Sequence, residues 1–324
     1  MRILITGITG FAGCHLAEAL LAGKDVVLYG TSRRTQWPRH GQQLASRVTL
    51  RPCDLCNGPA AEALVREIKP DQVYHLAGYA SPRQSHREPD AAWAGNLTAT
   101  RSLYEAIGRW GGKPRILYVG SGLVYGNPET PDQAQDERVP LRPDSPYASS
   151  KAAADLASYQ YTRTLGLDIV RVRPFNHMGP GQALGYVTAD FAQQIAVFEK
   201  WKTGAGKAPD PPYLKTGDLR SQRDLTDVRD MVRAYVLLME HGRTGEVYNA
   251  GTGEAHSMQE LLDALLSLSR LPIEVRQEAD LTRAADTRIA RADAAKLRRE
   301  TGWQPRFTLR QTLADILDYW RNQS

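Results

Sequence analysis

The sequence predicts an α/β fold: a doubly wound parallel sheet followed by a smaller α/β lobe. Short apolar runs alternate with helix-period segments through the first half, as in a parallel sheet covered on both faces. A turn with Gly7, Gly10 and Gly13 joins the first apolar run to the first helical segment. Beyond residue 174 the alternation gives way to Gly/Pro-rich stretches and isolated helical patterns. A length of 324 residues suits about two domains, or one large α/β unit with an appendage.

The elements follow in order. Arg2–Thr6 (RILIT) reads as a buried strand and His15–Ala22 as the helix after the glycine turn. Asp25–Tyr29 and Val48–Arg51 supply the second and third strands. Ala60–Ile68 is helical, Gln72–Leu76 is the fourth strand, and a helix runs roughly from Gly95 to Trp110. Arg115–Val119 is the fifth strand and leads to Ser121. Ala148–Leu165 is a long helix, and Asp168–Arg173 the sixth strand. Pro174–Tyr186 and Thr203–Lys215 read as loops. Ala189–Trp201, Asp230–His241, Met258–Ser269, Asp293–Thr301 and Leu309–Arg321 carry helical patterns, and Glu246–Ala250 a short strand. We expect residues 1–175 with about 226–250 to form the nucleotide-binding part, and about 176–225 with 251–324 the substrate lobe.

Composition narrows the function classes. The chain is 42% hydrophobic and 24% charged, with a net charge of +5, an ordinary balance for a soluble enzyme. The positive charge lies in no basic stripe or reading module, so nucleic acid is not an expected partner. No apolar run is long enough to span a bilayer and no signal peptide is recognisable, so we expect no membrane association and a cytoplasmic location. Cys14, Cys53 and Cys56 fit a reducing compartment, and no metal site is expected: Cys53 and Cys56 lack two further ligands.

Gly7-Ile8-Thr9-Gly10-Phe11-Ala12-Gly13 has the spacing of a Rossmann-type dinucleotide turn. Glycine lets the backbone turn tightly and approach a pyrophosphate, and the helix start offers unpaired N–H groups to the phosphates. Gly30-Thr31-Ser32-Arg33-Arg34 then lacks the carboxylate that would hold a ribose 2′-hydroxyl. Arg33 and Arg34 match a 2′-phosphate, so the expected cofactor is NADP(H). By position, Asp54 and Leu55 lie beside the adenine, and Leu76, Ala77 and Gly78 line the pyrophosphate and nicotinamide ribose. His75 reads as a packing residue.

Tyr147 and Lys151 form a Tyr-x-x-x-Lys pair, with Ser121 upstream. An ammonium one helical turn from a phenol would lower the phenol's pKa from near 10 toward a working range. Ser121 would hydrogen-bond the substrate oxygen. The set is suited to move a proton on a carbonyl or alcohol oxygen while hydride moves on carbon.

These motifs resemble those of the extended short-chain dehydrogenase/reductase superfamily, which works mainly on nucleotide sugars. The resemblance spans nearly the whole chain: GITGFAG, the LAG turn, VGSGLVYG, SPYASSK, RPFNHMGPGQ, RDLTDVRD and EVYNAGTG. RVRPFNHMGPGQ, DFAQQIA and GDLRSQRDLTDVRDMV look most like the GDP-4-keto-6-deoxy-D-mannose reductases, which reduce C4 of the keto sugar and make GDP-D-rhamnose. The resemblance implies NADPH-dependent reduction of a GDP-4-keto-6-deoxy hexose by Ser121, Tyr147 and Lys151. It further implies that Asn176 contacts substrate, that Arg223, Arg283 and Asp286 hold the nucleotide diphosphate and ribose, and that the enzyme is a homodimer. Arg220 and Lys215 are further candidates for the substrate, and Asn96 either supports the active site or starts its helix. A 4-epimerase and a GDP-mannose 4,6-dehydratase are the alternatives. The dehydratases carry a carboxylate where this chain has Leu123, and Leu123 cannot move a proton; Leu123 also departs from the acidic residue of many reductases of the family. Met178 stands where Thr is usual, and Thr203–Lys215 is longer than the family pattern.

Overall fold

The computed structural model describes residues 1–23, 25–33, 36–128, 130, 133–278 and 289–323. The strands run β1 (Arg2–Thr6), β2 (Val27–Ser32), β3 (Thr49–Pro52), β4 (Gln72–His75), β5 (Arg115–Val119), β6 (Ala134–Gln135), β7 (Asp168–Pro174), β8 (Asn176–Met178), β9 (Leu214–Thr216), β10 (Gln222–Asp227), β11 (Val247–Ala250), β12 (Ala255–Ser257), β13 (Val275–Gln277) and β14 (Arg291–Ala292). The helices are α1 (Phe11–Gly23), α2 (Gly58–Ile68), α3 (Pro82–Ser85), α4 (Pro89–Trp93), α5 (Ala99–Trp110), α6 (Pro146–Thr164), α7 (Val187–Lys202), α8 (Val228–His241), α9 (Met258–Ser267), α10 (Ala295–Thr301) and α11 (Leu309–Arg321).

A seven-stranded sheet, ordered β11-β7-β5-β4-β1-β2-β3, forms the centre, and every pairing in it is parallel. Parallel strands need crossovers, and helices take them on both faces. Apolar side chains of α1, α8 and α10, including Leu16, Tyr235 and Leu297, share one core with Ile3, Ile5, Val170 and Val172. On the other face Leu64, Leu103, Ala154 and Tyr161 pack with Leu4, Val73 and Ile169. A third core joins Phe191, Ile195, Leu261, Leu265, Leu313 and Leu317, from α7, α9 and α11. Ala294, Leu297 and Trp303, late in the chain, belong to the first of these cores.

Local chemistry sets the helix starts. Ser145 accepts from Ala148 N with Pro146 in the first turn, and Asn57 does the same for α2 with Ala60 N. Ser257 with Glu260 and Thr308 with Gln311 form reciprocal caps on α9 and α11.

The expected strands and long helices are present, with some boundaries moved. α1 begins at Phe11, inside the glycine turn, with Ala12 and Gly13 in its first turn. β2 runs on to Ser32, so Gly30 and Thr31 belong to the sheet. The two stretches read as loops hold short strands, β8 and the start of β9. β10 escaped the sequence reading because its core-facing residues are polar: Asp224 and Thr226 are buried.

Register explains where a site can form. Thr6 lies beside Thr31 and His75, His75 beside Tyr118, and Val119 beside Val172. The strands therefore end at one edge, and the turns after β1, β4, β5 and β7 gather there.

Candidate active site

The glycine turn closes on itself. Gly7 sits at φ 71°, and its N–H donates to Thr31 O at 2.8 Å. A Cβ on Gly13 would stand 2.5 Å from Gly7 O and 2.7 Å from Ile8 O, so the helix packs on the turn only with hydrogen there. Thr9 Oγ1 donates to Ser32 Oγ at 2.6 Å, tying the turn to the end of β2. Phe11 and Ala12 open α1, leaving the first-turn N–H groups free of helical partners. Arg33 is exposed just past β2. Arg34 lies outside the described residues.

Asp54 and Leu55 serve the turn after β3 in different ways. Asp54 Oδ1 accepts from Cys56 N at 3.0 Å, while Leu55 is buried against α2. His75 is buried and bonded at both ring nitrogens, to Thr6 Oγ1 at 2.8 Å and Thr100 Oγ1 at 2.9 Å. Burial, then the Lys151 charge, lowers its pKa to about 3, so it stays neutral and packs, as expected. Leu76, Ala77 and Gly78 follow it as the next turn. A Cβ on Gly78 would lie 3.3 Å from Lys151 Nζ, so this turn passes directly over the ammonium.

Ser121, Tyr147 and Lys151 are all buried together. α6 brings Tyr147 and Lys151 onto one face, one turn apart. Ser121 opens the short turn Gly122–Tyr125 after β5, and its Oγ accepts from Leu123 N at 3.2 Å. Burial pushes Tyr147 up to about 12, the Ser121 hydroxyl pulls it down by hydrogen bonding, and nearby Tyr186 pushes it up. This corrects the expectation that Lys151 would pull the phenol down. The Lys151 ammonium is engaged elsewhere: Nζ donates to Val119 O at 3.1 Å. Burial alone lowers the Lys151 pKa to about 8.

A polar scaffold holds the set. Asn96 lies in a wide π-helical turn, Ala94–Thr98, between α4 and α5, the sort of helix irregularity often found at functional sites. Its Oδ1 accepts from Tyr79 N at 3.0 Å and its Nδ2 donates to Ser150 Oγ at 2.9 Å. Ser150 Oγ in turn donates to Tyr147 O at 2.8 Å. Ser85 Oγ accepts from Tyr147 N at 3.2 Å. Sequence reasoning missed Ser85 and Tyr186. A serine 62 residues before the tyrosine whose N–H it accepts carries no local signal, and Tyr186 could have been suspected only as an aromatic in a glycine-rich loop.

The loop after β7 lies against the glycine turn. Phe11 of the glycine turn stacks on His177 with centroids 6.0 Å apart, and a His15 Nε2–Pro180 O hydrogen bond of 2.8 Å ties α1 to the same loop. Asn176 begins β8 opposite Leu225 of β10, so Arg223 lies two residues back on the same face, roughly 7 Å along the strand. The Arg223 guanidinium bonds Gln222 O at 2.6 Å and has no carboxylate partner among the described residues. Arg220, by contrast, is held by Asp218 through two hydrogen bonds of 3.0 and 2.8 Å. Lys215 is an exposed residue of β9. Arg283 and Asp286 lie outside the described residues. Leu123 is 37% exposed at the mouth of the Ser121 turn. Among the described residues no cluster of His, Cys, Asp and Glu could hold a metal ion, and no helix is long and apolar enough to cross a membrane.

A parallel sheet with a glycine turn at its rim and a Ser/Tyr/Lys set beside it defines an oxidoreductase of the extended short-chain dehydrogenase/reductase type. The model of the GDP-mannose 4,6 dehydratase family matches residues 4–316, and the chain belongs to that family. It is 34% identical over 323 residues to a GDP-6-deoxy-D-mannose reductase of Pseudomonas aeruginosa, covering 99% of this chain and 98% of the relative. It is also 30% identical to a UDP-glucose 4-epimerase of Mycolicibacterium smegmatis, with both chains fully covered. Among solved structures, that of RMD from Pseudomonas aeruginosa complexed with NADPH superimposes with a TM-score of 0.83 at 33% identity, covering 100% of this chain and 99% of the other.

Proposed function

We propose that the protein reduces the C4 ketone of a GDP-4-keto-6-deoxy hexose with NADPH, taking GDP-4-keto-6-deoxy-D-mannose to GDP-D-rhamnose. The single observation that carries this reading is the buried Ser121–Tyr147–Lys151 set beside the Gly7–Gly13 turn, with Leu123 where dehydration would need an acid. The likeness to a GDP-6-deoxy-D-mannose reductase supports the substrate, and the NADPH complex of RMD supports the cofactor.

The residues fit that cofactor. The turn at Gly7–Gly13 leaves N–H groups for a pyrophosphate, and Arg33 stands exposed at the end of β2 for a 2′-phosphate, with Arg34 beside it in sequence. Thr9, Gly10, Phe11 and Ala12 complete the cradle. Asp54, Leu55, Leu76, Ala77 and Gly78 flank the path from adenine to nicotinamide, where Lys151 and Tyr147 lie. When bound, the reduced nicotinamide supplies a hydride. The chain supplies the proton. Ser121 donates a hydrogen bond to the ketone oxygen, and Tyr147, still protonated at neutral pH, gives that oxygen its proton. Asn176 and Arg223 take the sugar and diphosphate, and by family resemblance Arg283 and Asp286 join them. In the same reading residues 1–175 with about 226–250 bind cofactor and the remainder binds the sugar nucleotide, except that α10 and Trp303 pack in the core of the central sheet. Leu156 and Tyr159, 57% and 46% exposed on α6, support a homodimer through this helix. A cytoplasmic location fits the three free thiols.

Incubation with GDP-mannose, a 4,6-dehydratase and NADPH should consume NADPH and give the reduced sugar by NMR; a persisting keto sugar refutes the reading. A 4-epimerase, the alternative, would turn over without net NADPH use. Arg33→Ala should cut the NADPH-over-NADH preference in kcat/KM by about 10–100-fold, the worth of a charge-assisted hydrogen bond of about 1.5–3 kcal/mol. An unchanged ratio would remove Arg33 from the site.

The pH dependence has a definite sign. Lys151 is charged below its lowered pKa of about 8 and neutral above it, while Tyr147 stays protonated to about 12. Reductive kcat/KM should therefore hold from neutral pH to about 8 and fall above it. A profile flat to pH 9.5 would show that the Lys151 charge is not needed.

A further inference from the structure

We infer that the buried Asp155–Arg173 ion pair is a positioning element for catalysis, fixing the relative placement of the segments that carry Ser121, Tyr147 with Lys151, and Asn176. This rests on the reductase reading above for its kinetic consequence, though not for its structural one.

Asp155 is wholly buried on α6, four residues past Lys151 and eight past Tyr147, so it shares their face of the helix. Its carboxylate accepts from Arg173 Nε at 2.8 Å and Nη2 at 3.2 Å. Arg173 is itself buried near the end of β7, three residues before Asn176. Its remaining arm, Nη1, donates to the Tyr125 hydroxyl at 2.8 Å, with the guanidinium 5.0 Å from the ring centre. Tyr125 closes the turn that Ser121 opens. The Tyr125 hydroxyl donates onward to Asn249 Oδ1 at 2.7 Å, and Asn249 Nδ2 to Gln135 O at 2.8 Å. One planar fork therefore touches the catalytic helix and the serine turn while sitting on the strand that leads into the substrate loop.

The choice of residues points beyond packing. β7 is buried along most of its length, a place that ordinarily takes a continuous apolar run, yet it reads Asp-Ile-Val-Arg-Val-Arg-Pro. Buried ion pairs are weak stabilisers, because desolvation offsets much of their attraction. What a guanidinium fork adds is direction: its N–H groups fix angles that an aliphatic side chain leaves loose.

Arg171 supplies an internal control. It bonds the same carboxylate, Nη1 to Asp155 Oδ1 at 2.6 Å, but its other arm goes to Gly245 O at 2.8 Å, and it reaches neither the Ser121 turn nor Tyr125. Removing either arginine leaves one guanidinium for the one carboxylate, so Arg171→Leu and Arg173→Leu are matched in charge.

The experiment compares these two variants with Tyr125→Phe and Arg173→Lys in the full chain, below the Tm of each. Expected for Arg173→Leu is a kcat fall of about 10–100-fold with KM for NADPH within twofold, the signature of misplaced rather than missing groups. Amides of Ser121–Gly126 and Asn176–Gly179 should exchange hydrogen for deuterium at least about tenfold faster. Arg171→Leu should match its loss of Tm but keep kcat and those exchange rates within about twofold. Tyr125→Phe should show a smaller kcat loss of the same kind. Equal effects of the two leucine variants on kcat and exchange would overturn the proposal and leave a structural ion pair only. If Arg173→Leu does not fold, Arg173→Lys and Tyr125→Phe decide by the same two readouts. If wild-type protein fails to reduce the keto sugar, the functional reading falls, and the exchange comparison alone still tests the positioning role.

Discussion

Tyr147→Phe is expected to lower kcat by about 10²–10⁴-fold while leaving NADPH affinity within a few-fold. The phenol is the group placed to protonate the ketone oxygen, and burial keeps it protonated well above neutral pH. Phenylalanine keeps the ring and its packing and removes only the hydroxyl. Helix α6 should stand, because its start depends on Ser145 and on the Tyr147 backbone N–H to Ser85, which both survive the change. Steady-state kinetics and a fluorescence titration with NADPH check the two halves separately. Turnover near that of the wild type would defeat the proposed acid, and a parallel loss of cofactor affinity would move the role of Tyr147 from chemistry to binding.

Trp303→Ala should destabilise the protein by about 3–5 kcal/mol, the range for truncating a large buried aromatic. Trp303 is fully buried in the core beneath the sheet, and its Nε1 donates to Asp230 O at 2.9 Å. The Asp230 carboxylate meanwhile accepts from Arg306 N at 2.8 Å and Phe307 N at 2.9 Å, so one residue of α8 organises the whole connection from α10 to α11. Losing the indole opens a cavity and removes a buried hydrogen bond to the Asp230 carbonyl. A fall in Tm of at least about 5 °C in differential scanning calorimetry is expected. Trp303→Phe should recover much of it, since most of the apolar volume remains. A Tm within 1–2 °C of wild type for Trp303→Ala would mean that the late helices are not anchored through this side chain.

The first half of the chain was legible because its signals are local. A parallel sheet declares itself in apolar runs such as Arg115–Val119, and the glycine turn and Tyr147/Lys151 are spaced by backbone geometry alone. Legibility failed where tertiary context decides. β10 carries Asp224, fully buried, because Thr252, Gly253 and Ala292 bring N–H groups to its carboxylate, and no pattern within Gln222–Asp227 announces that. Ser85 and Tyr186 reach the site only once the chain has folded. The electrostatics were legible in kind but not in source: the spacing of Tyr147 and Lys151 suggested mutual tuning, whereas burial dominates both groups and the Val119 carbonyl holds the ammonium. Arg283 and Asp286 rest on the resemblance alone.

The seventh strand of the central sheet has a consequence for biosynthesis. β11 pairs with β7, yet more than 70 residues and several elements of the other cores separate them in the chain. During translation Val170 and Val172 emerge on an open sheet edge and wait for Val247–Ala250, several seconds at ribosomal speeds. A nascent chain arrested near residue 200 should be the most aggregation-prone length, and chaperone dependence should fall once residue 250 has cleared the exit tunnel.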